Sequence, residues 1–259
     1  MLIMNSRKMI YVHLQKCGGT AIERSLDAYC RWNDILIGSS PLGEMMQWQY
    51  YEKHGLHKHS SAIEIQQVIG KDVWSEYYSW CTVRNPFSRI VSLYGYAASM
   101  VFLHATEVGF PISASFEVQR QWAQSREYPR SEPWSFPAVK ALLLTRSEPQ
   151  PFSAFLRSAH LQADDAFAPQ WWGVQSKDGS EMALNEFVRL EELGTRWPSL
   201  CERFGLLGVP LQRQYANATS RQFRVDLKTF FKAPEDVTLI RERFADDFEK
   251  FGYAPDQIS

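Results

Sequence analysis

The sequence lacks an excess of charge of either sign. Its 259 residues contain 28 Lys and Arg against 29 Asp and Glu, which gives a formal net charge of −1. Dedicated nucleic-acid binders normally carry a basic excess, so we expect no nucleic-acid partner, although this balance is compatible with a local basic pocket. A hydrophobic fraction of 45% excludes intrinsic disorder as the main state, because it supplies enough apolar surface for a core.

Long hydrophobic runs and paired cysteines are also missing. No stretch of about 18 apolar residues occurs, so we expect no transmembrane segment, and the first residues do not resemble a signal peptide. The four cysteines form no CxxC pair and are too few for a disulfide framework in a chain of this length. We therefore predict a reduced, cytoplasmic protein. Aromatic residues, in contrast, are abundant at 14% with nine Trp, and they either fill a core or line a site for flat rings and sugars.

Alternating apolar runs and helical patterns predict the fold class. Residues 9–14 and 77–83 are typical of strands buried on both faces, and residues 35–37 of a shorter strand. After the first strand comes a predicted helix whose apolar face holds Ile22, Leu26, Tyr29 and Cys30. Strands that alternate with helices indicate an α/β fold with a central parallel sheet flanked by helices.

The second half of the chain predicts fewer regular elements. Residues 186–190 indicate a strand and residues 193–204 a short helix. The last predicted helix begins at Pro234 and ends at Gly252, with an apolar stripe of Val237, Ile240, Phe244, Phe248 and Phe251. Residues 101–180 are rich in proline and tryptophan and have no clear period. We expect a single domain, residues 1–259, in which residues 101–180 form an irregular or helical insertion that serves as a lid or binding loop.

Residues 15–20, QKCGGT, follow the first predicted strand and precede its helix. The N–H groups at a helix start lack intrahelical partners, and the helix dipole adds about half a positive charge, so such a turn can bind an anion. Gly18 and Gly19 let the backbone approach a phosphate, and Lys16 supplies a full charge. A Walker A loop places its lysine after the glycines, whereas Lys16 precedes them, which disfavours an ordinary ATP or GTP site. A tight turn without a ligand is the alternative.

A second polar cluster follows the strand at residues 77–83. Arg84 stands at the end of this strand, and Ser92 lies eight positions later on the next predicted helix. Ligands bind at the carboxyl ends of strands in open α/β sheets, so two anion sites at this edge suit a nucleotide with phosphates at two positions. Arg89, between them, is expected to pair with a carboxylate on a solvated face.

Segments 11–20, YVHLQKCGGT, and 81–94, CTVRNPFSRIVSLY, resemble the two nucleotide signatures of sulfotransferases that use 3′-phosphoadenosine-5′-phosphosulfate (PAPS). The carbohydrate-type branch, which includes the uronyl 2-O-sulfotransferases, is the more similar one. Weaker family-like pieces follow in the expected order at 58–62 (KHSSA), 169–172 (PQWW), 187–191 (FVRLE), 217–219 (NAT) and 247–253 (DFEKFGY).

The resemblance implies a P-loop-kinase-like sulfotransferase fold with PAPS as co-substrate. Its 5′-phosphosulfate would be cradled by Lys16, Cys17, Gly18, Gly19, Thr20 and Ala21. The 3′-phosphate would be held by Arg84 and Ser92, and a loop with Asn217 and Thr219 would close over the nucleotide. The sequence departs from the family at Gln15, Cys17 and Ala21, where proline, threonine and serine are common. Backbone donors survive these changes, but Ala21 lacks one hydroxyl, a loss of about 1 kcal/mol for a typical hydrogen bond.

Three histidines crowd into residues 53–59, KHGLHKH. Histidine suits proton transfer near neutral pH. In the 2-O-sulfotransferases a His-x-His pair occupies this position, which implies His59 as the base and His57 as its assistant or substitute. A plain solvated loop is one alternative. A zinc site formed by His57 and His59 on one face of a strand is the other, but no Cys or carboxylate follows at a recognisable spacing. We predict no metal, and Lys16 as the cation beside the leaving phosphate.

The resemblance implies a PAPS-dependent sulfotransferase that acts on a hydroxyl of a carbohydrate, glycolipid or small alcohol by in-line displacement, with residues 101–180 as its acceptor-binding insertion. A nucleoside-phosphate kinase is one alternative, although the Walker lysine and Mg²⁺ ligands are not found in the sequence. A nucleotide- or glycan-binding protein with a decayed active site is the other.

Other conspicuous residues have simpler interpretations. His13 is predicted to be a core histidine with its hydrogen bonds satisfied. Cys17 is interpreted as a packing residue rather than a reactive thiol. Trp171 and Trp172 are expected to divide between core and surface, and Glu191 and Glu192 either orient a substrate hydroxyl or cap the next helix.

Overall fold

The computed structural model describes residues 1–125, 136–212 and 226–258. The chain divides into two compact units. The first unit comprises Met1–Asn85, Pro169–Gln214 and Asp246–Tyr253, and the second comprises Pro86–Ala168, Tyr215–Ala245 and Ala254–Ser259. The single domain expected from the sequence stays a prediction.

The first unit is built on a sheet that has five strands within the described residues. These strands are β1 (Leu2–Met4), β2 (Met9–Val12), β3 (Ile35–Leu36), β4 (Tyr78–Val83) and β5 (Glu186–Arg189). They lie in the order β3-β1-β2-β4-β5, and β2, β4 and β5 are parallel. The predicted α/β class, with mostly parallel core strands flanked by helices, is confirmed.

Strand β1 is the exception, because it runs antiparallel to both β2 and β3. Residues Asn5–Arg7 form a short 3₁₀ turn, and Lys8 has a φ of 51° in the left-handed region, which reverses the chain before β2. So short a connection permits only an antiparallel pair, since a parallel pair needs a crossover of about a dozen residues or more. The sheet is therefore mixed rather than entirely parallel.

The described residues contain twelve α-helices. In chain order they are α1 (Gly19–Asp27), α2 (Pro41–His54), α3 (Ala62–Ile69), α4 (Lys71–Glu76), α5 (Pro86–His104), α6 (Phe116–Ser125), α7 (Pro137–Thr145), α8 (Pro151–Arg157), α9 (Ala159–Gln162), α10 (Leu193–Arg203), α11 (Pro234–Arg243) and α12 (Ala245–Phe251). Helices α5 to α9 and α11 belong to the second unit. Within the described residues no helix combines the length and apolar character needed to cross a bilayer.

Two predicted helix boundaries are wrong. Helix α1 ends at Asp27, so Tyr29 lies beyond it and is exposed rather than on its apolar face. The last predicted helix is two helices, because Phe244 has a non-helical backbone between α11 and α12. Its ring packs edge-to-face on Phe167 in the second unit. An apolar stripe with helical spacing does not register such a break.

Both faces of the sheet are buried, as the apolar strand runs predicted. Ile10, Val12 and Val83 join one apolar cluster, which also contains Ala62 and Ile65 of α3. Tyr11 and Trp80 point to the opposite cluster, where they meet residues of α1 and α10. The strands are thereby fixed, and their carboxyl ends have defined positions.

The second unit is helical and is packed by aromatic rings. The ring of Tyr94 on α5 lies edge-to-face with Phe152 and Phe155 of α8, at centroid distances of 5.3 and 5.0 Å. Phe230 contacts both Tyr94 and Phe152. Such pairs add about 0.5–1.5 kcal/mol beyond their buried area. Part of the aromatic surplus is therefore core.

Candidate active site

Three neighbouring strand ends bring polar residues to one edge of the sheet. The register pairs Val12 of β2 with Cys81 of β4, and Val83 of β4 with Arg189 of β5. The loop of residues 13–18 therefore leaves the sheet beside Arg84. Ligands of open α/β sheets bind at the carboxyl ends of the strands, so this edge is the candidate site.

The loop between β2 and α1 has a backbone suited to an anion. Lys16 and Gly18 have φ values of 64° and 83°, both in the left-handed region. Gly18 precedes α1, and its carbonyl accepts the N–H of Ala21 at 3.0 Å. Within the described residues no side chain caps this helix start. Left-handed residues inside a turn aim successive N–H groups to one side and form an anion-binding concavity.

The two glycines of this loop are also required by packing. A Cβ on Gly19 would lie 2.2 Å from Cδ2 of His13, and a Cβ on Gly18 would lie 2.6 Å from Cδ1 of Leu190. Glycine therefore lets two protein side chains approach the loop backbone, in addition to any phosphate. This requirement was not expected from the sequence.

Arg84 brings the second predicted cation to the loop. Its Nη1 donates to the carbonyl oxygen of Lys16 at 3.4 Å, and its side chain is only partly buried. The residues predicted to bind the two phosphates of a nucleotide, Lys16 and Arg84, thus lie side by side.

The buried side chain of Gln170 forms hydrogen bonds both to the loop of residues 13–18 and to Arg84. Its Oε1 accepts one hydrogen bond from the thiol of Cys17 at 3.0 Å and one from the backbone N–H of Arg84 at 2.8 Å. Its Nε2 donates to the carbonyl of Arg84 at 2.9 Å and to Oδ2 of Asp247 at 3.0 Å. Gln170 is 2% exposed and Asp247 is fully buried. The first residues of α12 are thereby connected to the loop edge.

His59 lies in a turn between α2 and α3, not on a strand. Its Nδ1 is 3.0 Å from the carbonyl oxygen of His13, so Nδ1 carries the proton and Nε2 is left as an acceptor. The two rings are edge-to-face at 4.6 Å. Burial of the ring, and then the neighbouring His13, hold the pKa of His59 well below 6.5. A neutral imidazole with a bare Nε2 can accept a proton.

His57 has the opposite arrangement. Its Nδ1 accepts the backbone N–H of His59 at 3.2 Å, which leaves the ring proton on Nε2 when the ring is neutral. Its own N–H donates to Oγ of Ser60 at 3.0 Å. Of the two histidines in their neutral forms, His59 therefore has an unprotonated Nε2, whereas the Nε2 of His57 carries the proton.

His13 is buried beside both the loop and His59. Its Nδ1 is 2.8 Å from Oε1 of Glu23 on α1, and the same oxygen contacts the α-amino group of Met1 at 2.6 Å. Ser39 donates to the other carboxylate oxygen. These partners outweigh burial and lower the pKa of Glu23, so the carboxyl is ionised. The predicted satisfied histidine is thus part of a buried network.

The sequence can be compared with those of known protein families. The family model described as the sulfotransferase family matches residues 1–254. The chain belongs to the sulfotransferase family. Neither the search of curated proteins nor that of solved structures found a match. The family match supports a transferase whose general activity is sulfuryl transfer.

The remaining predicted site residues of this sulfotransferase are placed as follows. Thr20 and Ala21 lie partly exposed in the first turn of α1. Ser92 lies on α5 in the second unit and is partly buried. Asn217 and Thr219 lie outside the described residues. In the described part of the chain no group of three or more His, Cys, Asp or Glu residues could hold a metal ion.

The interpretation of Arg89 is wrong, and those of the cysteines and of the tryptophan pair agree with the structure. Arg89 does not lie on a solvated face: it is buried, and its Nη2 donates to the carbonyls of Ala166 and Ala168 at 2.9 Å. Cys17 is buried and hydrogen-bonded. The four cysteines are free thiols. Trp171 is 5% exposed and Trp172 52%, so the pair divides between core and surface as predicted.

The two glutamates after β5 also separate in role. The side chain of Glu192 makes no capping hydrogen bond to α10 among the described residues. Glu191 instead accepts the N–H of Asn85 at 3.1 Å and the hydroxyl of Tyr253 at 2.9 Å. Burial, and then this carboxylate, raise the pKa of Tyr253. Glu191 thus holds the end of β4, a role the sequence did not indicate.

Glu23, Gln170 and Asp247 are important site residues that the sequence interpretation missed. Gln170 and Asp247 occur in the family-like pieces 169–172 and 247–253, but 77 positions separate them and nothing in their spacing reveals a contact. Glu23 stands in the predicted first helix, where a carboxylate is ordinarily exposed. A glutamate on the same helix side as Ile22 and Leu26 was the available signal.

Proposed function

We propose that the protein transfers the sulfuryl group of PAPS to a hydroxyl of a carbohydrate. The observation that carries this proposal is the contact between Arg84 and the Lys16 carbonyl at adjacent ends of β2 and β4. PAPS carries a phosphosulfate on its 5′ side and a phosphate on its 3′ side. Two neighbouring cations, one of them within an anion-binding turn, suit a nucleotide of this kind.

The residues that would hold the donor are those that the family resemblance implies. Residues 16–21 would bind the 5′-phosphosulfate through backbone N–H groups and the Lys16 ammonium. Arg84 would bind the 3′-phosphate with Ser92, and Asn217 and Thr219 would close over the nucleotide. The donor set is cationic and hydrogen-bonding, and no metal is required because a sulfuryl group bears less charge than a phosphoryl group.

His59 is proposed as the general base, with His57 as an assisting donor. Nε2 of His59 accepts the hydroxyl proton as the acceptor oxygen forms a bond to sulfur. The bond between sulfur and the bridging phosphate oxygen breaks in the same displacement. Lys16 stabilises the negative charge that develops on the departing 3′,5′-diphosphoadenosine. The proton, the sulfuryl group and the leaving group are thereby accounted for.

Exposed rings beside the histidines support a carbohydrate acceptor. Trp48 and Tyr51 on α2 are 64% and 48% exposed, and their rings stack at 6.0 Å. The ring of Tyr51 is edge-on to His57 at 6.4 Å. Sugars stack on such rings through their apolar faces. The four free thiols support a reducing, cytoplasmic location.

Calorimetry tests the donor. We expect 3′,5′-diphosphoadenosine to bind and ATP to bind far more weakly. Arg84→Ala should mainly reduce the affinity for 3′,5′-diphosphoadenosine (the diphosphate below). Lys16→Ala should reduce the rate of sulfuryl transfer to sugar acceptors by orders of magnitude. A preference for ATP would indicate a kinase instead. Diphosphate binding without transfer to any acceptor in a panel of sugars and glycolipids would indicate a binding protein with an inactive site.

A further inference from the structure

We propose that Gln170, held by Asp247, is a positioning residue. It fixes Arg84 relative to the loop of residues 15–20, which we call the phosphate loop. The pair thereby sets the affinity for the nucleotide donor. This inference rests on the proposed function and adds to it two residues that lie beneath the nucleotide-binding surface.

The amide of Gln170 uses its full hydrogen-bonding capacity. An amide oxygen accepts two hydrogen bonds and an amide nitrogen donates two. Oε1 accepts from Cys17 and Arg84, and Nε2 donates to Arg84 and Asp247. A glutamate would lack both donors, and an alanine would lack all four contacts. Among side chains of this size, glutamine matches this set.

Asp247 keeps the amide from turning. Its Oδ2 accepts both the backbone N–H and the Nε2 of Gln170 at 3.0 Å, and its Oδ1 accepts the N–H of Trp171 at 2.8 Å. The backbone and the side chain of Gln170 are therefore both held by one buried carboxyl group, which accepts three N–H donors.

The contact with Cys17 extends this restraint into the phosphate loop. Cys17 is fully buried and directly follows Lys16, so its thiol is a donor at the base of the loop. Family members often carry threonine here, and a thiol keeps the donor in weaker form. Gln170 therefore contacts one residue of each predicted phosphate site.

Fixing two cationic sites relative to each other matters for a ligand that bridges them. Two sites that are already held in place bind such a ligand more tightly, because no free energy of binding is lost in ordering them. A ligand with one phosphate needs only one of the two sites and tolerates their displacement. The arrangement thus predicts that loss of Gln170 weakens a two-phosphate ligand much more than a one-phosphate ligand.

The test compares Gln170→Ala with Gln119→Ala. Gln119 is 1% exposed, and its Nε2 donates to the carbonyls of Pro111, Ile112 and Ala114 in the second unit, so it is a matched buried amide. Calorimetry would use 3′,5′-diphosphoadenosine, adenosine 3′-phosphate and adenosine 5′-phosphate. For Gln170→Ala we expect diphosphate affinity to fall about 10- to 100-fold, with monophosphate affinities changed only slightly. Gln119→Ala should bind all three like the wild type.

Each contrary result has a distinct meaning. Equal diphosphate affinity in the two variants would overturn the inference, and so would an equal loss for all three ligands, which indicates a merely structural role. A wild-type protein that binds no diphosphate would instead refute the proposed function.

If Gln170→Ala does not fold, variants of Cys17, which contacts Gln170, provide the test of the inference. Cys17→Ser keeps a hydroxyl donor toward Gln170 and should bind the diphosphate at least as well as the wild type. Cys17→Ala should weaken the diphosphate more than either monophosphate. Equal diphosphate affinity in Cys17→Ser and Cys17→Ala would contradict the inference.

Discussion

Buried polar side chains play different roles in the two units. In the first unit they bind one another across long sequence distances, as Gln170 does with Asp247 and His13 with Glu23. In the second unit Gln119 and Asp164 bind backbone groups, Asp236 binds the side chains of Ser153 and Arg157, and rings such as Phe155 supply much of the packing. Polar networks orient groups, whereas aromatic packing fills volume. The comparison teaches that equal losses of stability in the two units should have unequal effects on activity.

The largest expected effect is on the proposed base. His59→Ala should lower kcat about 10²- to 10⁴-fold, the usual contribution of a general base. His57→Ala is the matched control and should lower kcat less, because its Nδ1 accepts a hydrogen bond from the His59 N–H and its Nε2 is a donor. Steady-state sulfuryl transfer with purified variants measures both. A fully active His59→Ala together with an inactive His57→Ala would reverse the assignment.

The same histidine should determine the pH profile. A depressed pKa means that His59 stays neutral as the pH falls through 6.5, so the acid limb of kcat/KM should lie below that ordinary imidazole value. The limb should be absent from the residual activity of His59→Ala. A limb at or above pH 6.5 would exclude a buried imidazole as the base.

The next effect compares one residue from each unit. Glu23→Ala leaves the buried α-amino group of Met1 and the His13 ring without their carboxylate and should lower the free energy of unfolding by about 3–5 kcal/mol. Phe155→Ala should lower it by a similar amount, about 3–5 kcal/mol, because it leaves a cavity in the aromatic core. Urea unfolding measures both. Glu44→Ala, which removes an exposed pair with Lys58, should change stability by about 1 kcal/mol or less.

Activity at a temperature where both variants are folded then separates the two units. Glu23→Ala should lower kcat, since His13 contacts the loop at Gly19 and the ring of His59. Phe155→Ala should retain the wild-type kcat. Equal losses of kcat in both variants would show that the contrast between the units is wrong.

The smallest effect concerns the acceptor. Trp48→Ala should raise the KM for a sugar acceptor about 2- to 10-fold, the range expected from one ring-stacking contact. Trp32→Ala is the control, because Trp32 is 97% exposed in the loop between α1 and β3. Donor affinity should not change in either variant. A rise in acceptor KM of the same size in both would argue against a specific role for the Trp48 ring.

Local patterns were sufficient for β2 to β5 and for the loop of residues 15–20. Apolar runs place β2 and β4, and Lys16 and Arg84 follow them directly, so sheet geometry alone brings the two cations to one edge. Strand β1 was missed because its three residues, Leu2–Met4, are too few for a recognisable strand pattern. The partnership of Gln170 with Asp247 and the break at Phe244 depend on tertiary packing, which sequence spacing does not report.

The position of Asp247 has a consequence for synthesis on the ribosome. Asp247 follows Arg84 by 163 residues. Translation adds about 5–20 residues per second, so the nascent chain carries Lys16 and Arg84 for about ten seconds or more before the carboxylate that fixes Gln170 exists. During that interval the early strands can pair, but the sheet edge with Lys16 and Arg84 lacks the contact between Gln170 and Asp247. The proposed donor site is therefore completed only after Asp247 has been synthesised.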